Sequence, residues 1–113
     1  TTESSVQIRQ ANHKTVVDVQ AENVDFRNAQ SLKTELTQLV QSGNKHLVLN
    51  LQKVSFMDSS GLSVLLTGKR ASEDAGGTFS ICGLQGYVNN LIQLTNLSKT
   101  MSVYPSDKEA LEG

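Results

Sequence analysis

The chain has one cysteine, two histidines and one proline among its 113 residues, and no excess of either charge. A lone cysteine, Cys82, excludes an internal disulfide. It lies in Phe79-Ser80-Ile81-Cys82, which reads as a strand, so a buried small apolar side chain is expected. That usage suits a reducing cytoplasm. His13 falls in a turn and His46 at a strand start. Neither has a second ligand candidate at metal spacing, and no metal site or cofactor is expected. Ten basic residues against eleven acidic ones leave a net charge of −1, without the basic surplus of a nucleic-acid-binding face. No apolar run approaches the roughly 20 residues that a membrane-spanning helix needs. The polar start Thr1-Thr2-Glu3-Ser4-Ser5 lacks the basic-then-apolar order of a signal peptide. These absences predict a cytoplasmic chain, monomeric when free, that binds no nucleic acid and inserts into no membrane. Without repeats, low-complexity tracts or linkers, residues 1–113 read as one domain with a core over about 6–104. A chain of that length buries roughly 65% of its unfolded surface.

Strand and helix patterns alternate along the chain. Val6-Gln7-Ile8-Arg9-Gln10 alternates apolar and polar residues, as a half-buried strand does. Asn12-His13-Lys14 forms a turn into a second strand, Thr15 to Val19, so the pair reads as a hairpin. Asp25 or Asn28 can cap the next element. Ala29, Leu32, Leu36, Leu39 and Val40 then recur at three- and four-residue steps, the spacing of an amphipathic helix, which Gly43 ends. His46 to Leu51 shows little alternation, as expected of a strand covered on both faces. A helix from Asp58 towards Glu73 follows. Gly76-Gly77 then breaks the chain before a strand from Thr78 to Cys82. Tyr87, Val88, Leu91, Ile92 and Leu94 fit another amphipathic helix, and Met101 to Tyr104 a last short strand. Pro105 ends that strand, and Ser106-x-x-Glu109 reads as a capping box. The order predicts an α/β domain: a mixed β-sheet with a β-hairpin start, then alternating helices and strands. Val17, Val19, Leu36, Leu47, Leu49, Leu65, Ile81 and Leu91 are its expected core.

The most informative segment is Val54 to Leu66. An apolar approach ends in Asp58-Ser59-Ser60-Gly61, and an apolar helical run follows at once. Asp58 fits a helix N-cap, whose carboxylate accepts from amides two and three residues on. The first amides of a helix have no internal partner and sit at the positive end of its dipole, so a serine there occupies a place that tolerates phosphate. Ser59 and Ser60 both qualify, and helical period does not choose between them.

Asn50-Leu51 through Leu66, centred on Phe56-Met57-Asp58-Ser59-Ser60-Gly61-Leu62, resembles the signature of bacterial anti-sigma factor antagonists, which are single STAS domains. The likeness runs from about Lys14 to Tyr104. It includes a strand ending near Val24-Asp25, the helix with Ala29 and Leu32, the Leu47 to Leu51 strand, Gly76-Gly77, and Leu91-x-x-Leu94-x-x-Leu97. The resemblance implies a STAS-like fold and a partner switch. In that scheme the unmodified antagonist binds an anti-sigma factor that is also a GHKL-type serine kinase, and the sigma factor is released. The kinase phosphorylates the antagonist with ATP, the phosphorylated form lets go, and a PP2C-type phosphatase resets it. By the same resemblance the acceptor is the residue after the aspartate, Ser59. Asp58, Ser60, Gly61, Leu62, Ser63, Leu65 and Leu66 form the expected partner-binding set, with Gly61 admitting the partner's backbone. Two positions depart from the pattern. Ser63 replaces a second glycine, and Glu22-Asn23 replaces a glycine turn, with Asn23 able to take a positive φ.

Catalysis is not expected. Ser59 has an adjacent acid but no histidine base in sequence reach, and the chain has no nucleophile-elbow, phosphate-loop or dinucleotide pattern. The rival reading is a non-catalytic STAS subunit of a larger signalling or transport assembly.

Overall fold

The computed structural model describes residues 6–113; the polar start Thr1–Ser5, with the leader reading attached to it, lies outside them. In chain order the elements are β1 (Val6–Ala11), β2 (Lys14–Val19), β3 (Asn23–Val24), α1 (Ala29–Gln41), β4 (His46–Asn50), β5 (Phe56–Met57) and α2 (Ser59–Asp74). There follow β6 (Thr78–Cys82), α3 (Gly86–Leu94), a 3-10 turn at Leu97–Lys99, β7 (Ser102–Tyr104) and α4 (Asp107–Glu112). The main sheet has the order β1-β2-β4-β6-β7. β1 is antiparallel to β2 and every other neighbour is parallel, so the sheet is mixed. The hairpin closes through Asn12 and His13, both at positive φ, as a two-residue turn matched to strand twist requires.

Strand alternation sends side chains to two unequal layers. Val17, Val19, Leu47, Leu49 and Ile81 meet Leu32 and Leu36 of α1, Val64 and Leu65 of α2, and Val88 and Ile92 of α3, all buried. The opposite face is thin: Val16, Val48 and Cys82 lie under Ala110 of α4. Burial pushes the Cys82 thiol up to about 12, so it is an inert packing group. Of the expected core, seven residues are buried and Leu91 is half-buried, because Val88 and Ile92 take the inner face of α3. Tyr87 and Leu94, included in the same helical stripe, stand 51% and 80% exposed.

The caps explain the boundaries. Asp58 caps α2, and Ser106 accepts from the Glu109 amide at 3.4 Å at the start of α4. Neither Asp25 nor Asn28 caps the α1 amides through its side chain. Asn28 instead ties the junction together, its Oδ1 accepting from the Asp25 amide and its Nδ2 donating to the Asn23 carbonyl. Asn23 does not adopt a positive φ; it is held extended in β3 by pairing with Phe56.

Candidate functional site

Two short strands, β3 and β5, build the site. They pair in parallel, Asn23 with Phe56 and Val24 with Met57, apart from the main sheet. The Asp58 amide donates to the Val24 carbonyl at 3.3 Å, which fixes where α2 begins. Asp58 Oδ1 accepts from the Ser60 amide at 2.8 Å and from the Gly61 amide at 3.1 Å. Its carbonyl accepts from the Leu62 amide. Ser59 is therefore the first residue of the helix, and its side chain is exposed. Among the described residues its hydroxyl has no hydrogen-bond partner. Ser60 is half-buried, and its carbonyl accepts from the Ser63 hydroxyl at 2.9 Å.

This geometry changes one expectation. The amides of Ser60 and Gly61 are not open to a phosphate, because the Asp58 carboxylate already occupies them. A phosphate on Ser59 would stand outside the first turn, next to a carboxylate. Among the described residues Asp58 has no ion-pair partner. The added charge would therefore be presented outward rather than absorbed by the fold.

The expected partner-binding residues divide between two faces of α2. Gly61, Val64, Leu65, Gly68 and Ser72 form its buried stripe. Leu65, expected both in the core and in the partner-binding set, is fully buried, which corrects its place in the second set. Gly61 is corrected as well, since it serves an internal contact. A Cβ on Gly61 would lie 2.3 Å from Met57 Cγ and 2.5 Å from the Val24 carbonyl oxygen. The absent side chain lets α2 sit against β3 and β5. Asp58, Leu62 and Ser63 are half-buried, and Leu66 is 43% exposed. These residues, with Ser59 and Ser60, remain accessible in the first two turns.

The structure adds side chains that the sequence reading left out. The chain has only five aromatic residues, three Phe and two Tyr. Phe26, Phe56 and Tyr87 stand 76%, 41% and 51% exposed. Phe56 points outward because Met57, its strand neighbour, points in. It stacks on Tyr87 of α3 with ring centroids 5.4 Å apart and planes within 8°. Phe26 and Ser59 each lie two residues beyond the paired Val24 and Met57, so they hold matching positions at the ends of adjacent strands. Scarcity was the available signal: aromatic side chains are costly to leave in water and are enriched at binding surfaces.

Chemically, the site offers a hydroxyl and a carboxylate, and neither histidine stands beside them. His13 sits in the hairpin turn, and His46 contacts Thr78 Oγ1 at 3.0 Å. Among the described residues no three His, Cys, Asp or Glu side chains gather as metal ligands. Among the described residues no helix is long and apolar enough to cross a membrane. The chain is 28% identical over 109 residues to the anti-sigma F factor antagonist of Paenibacillus polymyxa, covering 95% of this chain and 93% of that protein. The crystal structure of an anti-sigma factor antagonist from Mycobacterium paratuberculosis superposes with a TM-score of 0.84 at 26% identity, covering 95% and 90% of the two chains. The fold also recurs within the murine solute carrier 26 family member A9 anion transporter, with a TM-score of 0.73 at 19% identity, over 91% of this chain and 18% of that one. The STAS domain model matches residues 5–110, and with the mixed sheet and the Asp58-capped helix in place, this chain belongs to the STAS domain family.

Proposed function

We propose that this chain is a phosphorylation-controlled anti-sigma factor antagonist of the cytoplasm. Unmodified, it binds an anti-sigma factor that is also a GHKL-type serine kinase, and the bound sigma factor is set free. Phosphorylation of Ser59 ends that binding, and a PP2C-type phosphatase restores it. The observation that carries the reading is the exposed Ser59 hydroxyl at the first residue of α2, flanked by exposed apolar side chains and backed by a carboxylate. The names of the Paenibacillus and Mycobacterium relatives support the same role.

The energetics explain how one hydroxyl gates an interface. A phosphoserine adds about −1.5 to −2 charges. Burying that charge under a partner without a matched cation costs several kcal/mol. A loss of about 4 kcal/mol weakens binding roughly a thousandfold. The fold itself is untouched, since Ser59 makes no internal contact that a phosphate would break. Phe26, Phe56, Tyr87 and Leu66 supply the apolar contact; Asp58, Ser60, Leu62 and Ser63 complete the surface.

Calorimetry against the cognate kinase-type anti-sigma factor tests this. The unmodified protein binds, the phosphorylated protein binds about a thousandfold more weakly, and both melt at similar temperatures. Leu66→Ala weakens binding without lowering stability. Equal affinity of both phosphorylation states would overturn the reading.

A further inference from the structure

We propose that α4 is a hinged cover: it lifts as a unit from the thin face of the main sheet while the rest of the domain stays folded, and two cations of the β1–β2 hairpin, Arg9 and Lys14, set how often it does so. The proposal does not rest on the role of Ser59.

The four helices are fastened by unequal means. α1 buries Ala29, Leu32 and Leu36; α2 buries Gly61, Val64, Leu65, Gly68 and Ser72; α3 buries Val88 and Ile92. α4 buries Ala110 alone. One methyl group removes far less apolar surface from water than a leucine or valine does. α4 is six residues long, too short to keep its helical form without contacts from the rest of the fold. Its own hydrogen bonds do not tie it down. The Ala110 amide donates to the Ser106 carbonyl at 3.1 Å, and the Ser106 hydroxyl accepts from the Glu109 amide, both within the same turn.

What ties α4 to the sheet is polar and comes from one place. At its first residue, Asp107 accepts from Arg9 Nη2 at 2.6 Å. At its last turn, Lys14 Nζ donates to the Ala110 carbonyl at 3.0 Å and to the Gly113 carbonyl at 2.7 Å. A cation is also favoured at that end of a helix, where carbonyls lack partners. Arg9 belongs to β1 and Lys14 begins β2, so one hairpin grips both ends of α4. Arg9 has a second anchor that opening would not disturb. Asp18 accepts from its Nε and Nη2, and Asp18 is held in turn by Asn50 Nδ2 at 2.8 Å. Letting Asp107 go therefore leaves no cation unpaired. The Arg9 and Asp107 side chains are 46% and 33% exposed, so water and salt reach their contact and weaken it. Pro105 and Ser106, which lie between β7 and α4 and belong to neither, are the hinge.

Beneath α4 lie Val16, Val48 and Cys82, one from each of the three central strands and all fully buried. Among the described residues α1, α2 and α3 pack on the opposite layer, so lifting α4 uncovers all three side chains and leaves the larger core intact. Few apolar contacts and solvent-exposed polar ties mark the least stable unit of a fold. Cys82 is the sole cysteine of the chain, so its reactivity reads the opening directly. With α4 closed, burial and the nearby Asp107 and Asp18 carboxylates hold the thiol protonated, at a pKa of about 12.

Thiol labelling at fixed pH under native conditions tests the proposal. An aromatic disulfide reagent is added; the Cys82 thiolate attacks one of its sulfurs, a mixed disulfide forms, and the released aromatic thiolate is counted by absorbance. Cys82 reacts, and the Ala110 amide exchanges, over a time in which the Leu49 amide of the central strand stays protected. D107N and K14M, each of which removes one tie and leaves the Arg9–Asp18 pair in place, speed labelling about threefold apiece and about tenfold together, with urea midpoints near that of the parent. Added salt speeds labelling of the parent and leaves the double variant nearly unchanged. Cys82 labelling no faster than Leu49 exchange would mean that only global unfolding uncovers the thiol, and would overturn the proposal. Unchanged labelling in both variants, or an acceleration that merely follows a fall in the urea midpoint, would overturn it as well.

Discussion

β3 and β5 lie side by side, and each is followed at once by an aspartate, Asp25 and Asp58. The two junctions then diverge. Asp25 pairs with the guanidinium of Arg27 at 2.8 Å and accepts from the Arg27 amide, and these bonds hold its carboxyl below the usual carboxylate range. The chain needs a further turn before α1 begins at Ala29. Asp58 instead gives its carboxylate to the amides of Ser60 and Gly61, and α2 begins on the next residue. One junction neutralises its acid with a local cation. The other neutralises it with backbone dipoles and leaves a hydroxyl facing outward. On the proposed reading, a switch position is created by how the neighbouring charge is placed. At the first junction a cation stands ready to absorb new negative charge. At the second none of the described residues supplies one, so on the proposed reading a phosphate there is felt by whatever docks.

The largest expected effect comes from forcing the two junctions apart. Gly61→Ala sets a methyl group against Met57 and the Val24 carbonyl. The carbonyl is backbone and cannot rotate away, so a stability loss of about 3 kcal/mol is expected in urea unfolding. A variant as stable as the parent would show that the junctions are not in contact at Gly61. A smaller effect tests the cap. Asp58→Ala leaves two first-turn amides without their acceptor and lowers stability by about 1 kcal/mol. Helical circular dichroism should be nearly unchanged at low denaturant, since α2 is otherwise fixed by its buried stripe. A loss far above that figure would mean that Asp58 does more than cap.

The smallest effect is at the first junction and appears in acid. The folded-state pKa of Asp25 lies below its unfolded value, near 3.9. Its stabilising contribution is therefore present above about pH 4 and is lost as pH falls through the lower folded value. Asp25→Asn should be less stable than the parent near neutrality, and the gap should narrow as pH falls below about 4. The gap is modest because the Arg27 side chain is 65% exposed and water screens the pair. Urea midpoints across that range check it; a gap independent of pH would remove the ion pair from the account.

Much of this architecture is legible in the residues. The main strands and helices announce themselves by period, and the Asp58 cap by residue type. The β3–β5 pair is not legible, because two residues cannot display a period of two. Leu65 and Leu66 are adjacent and equally apolar, and only the stripe Gly61, Val64, Leu65, Gly68 and Ser72 separates the inner from the outer. Three of those five are small or polar, which hides the stripe from a count of apolar residues. The internal contact of Gly61 is hidden in the sequence because its close neighbour, the Val24 carbonyl, arrives from a strand far away along the chain. The stacking of Phe56 on Tyr87 is likewise a product of folding.

The most direct test of the proposed switch is the position of the phosphate. The protein is incubated with its cognate kinase-type anti-sigma factor and ATP, and the modified peptide is mapped by fragmentation mass spectrometry. Phosphate on Ser59 alone is expected, with Ser59→Ala folded, able to bind and unmodified. Phosphate on Ser60, stoichiometric modification of Ser59→Ala, or no phosphate on the unsubstituted chain would contradict the account.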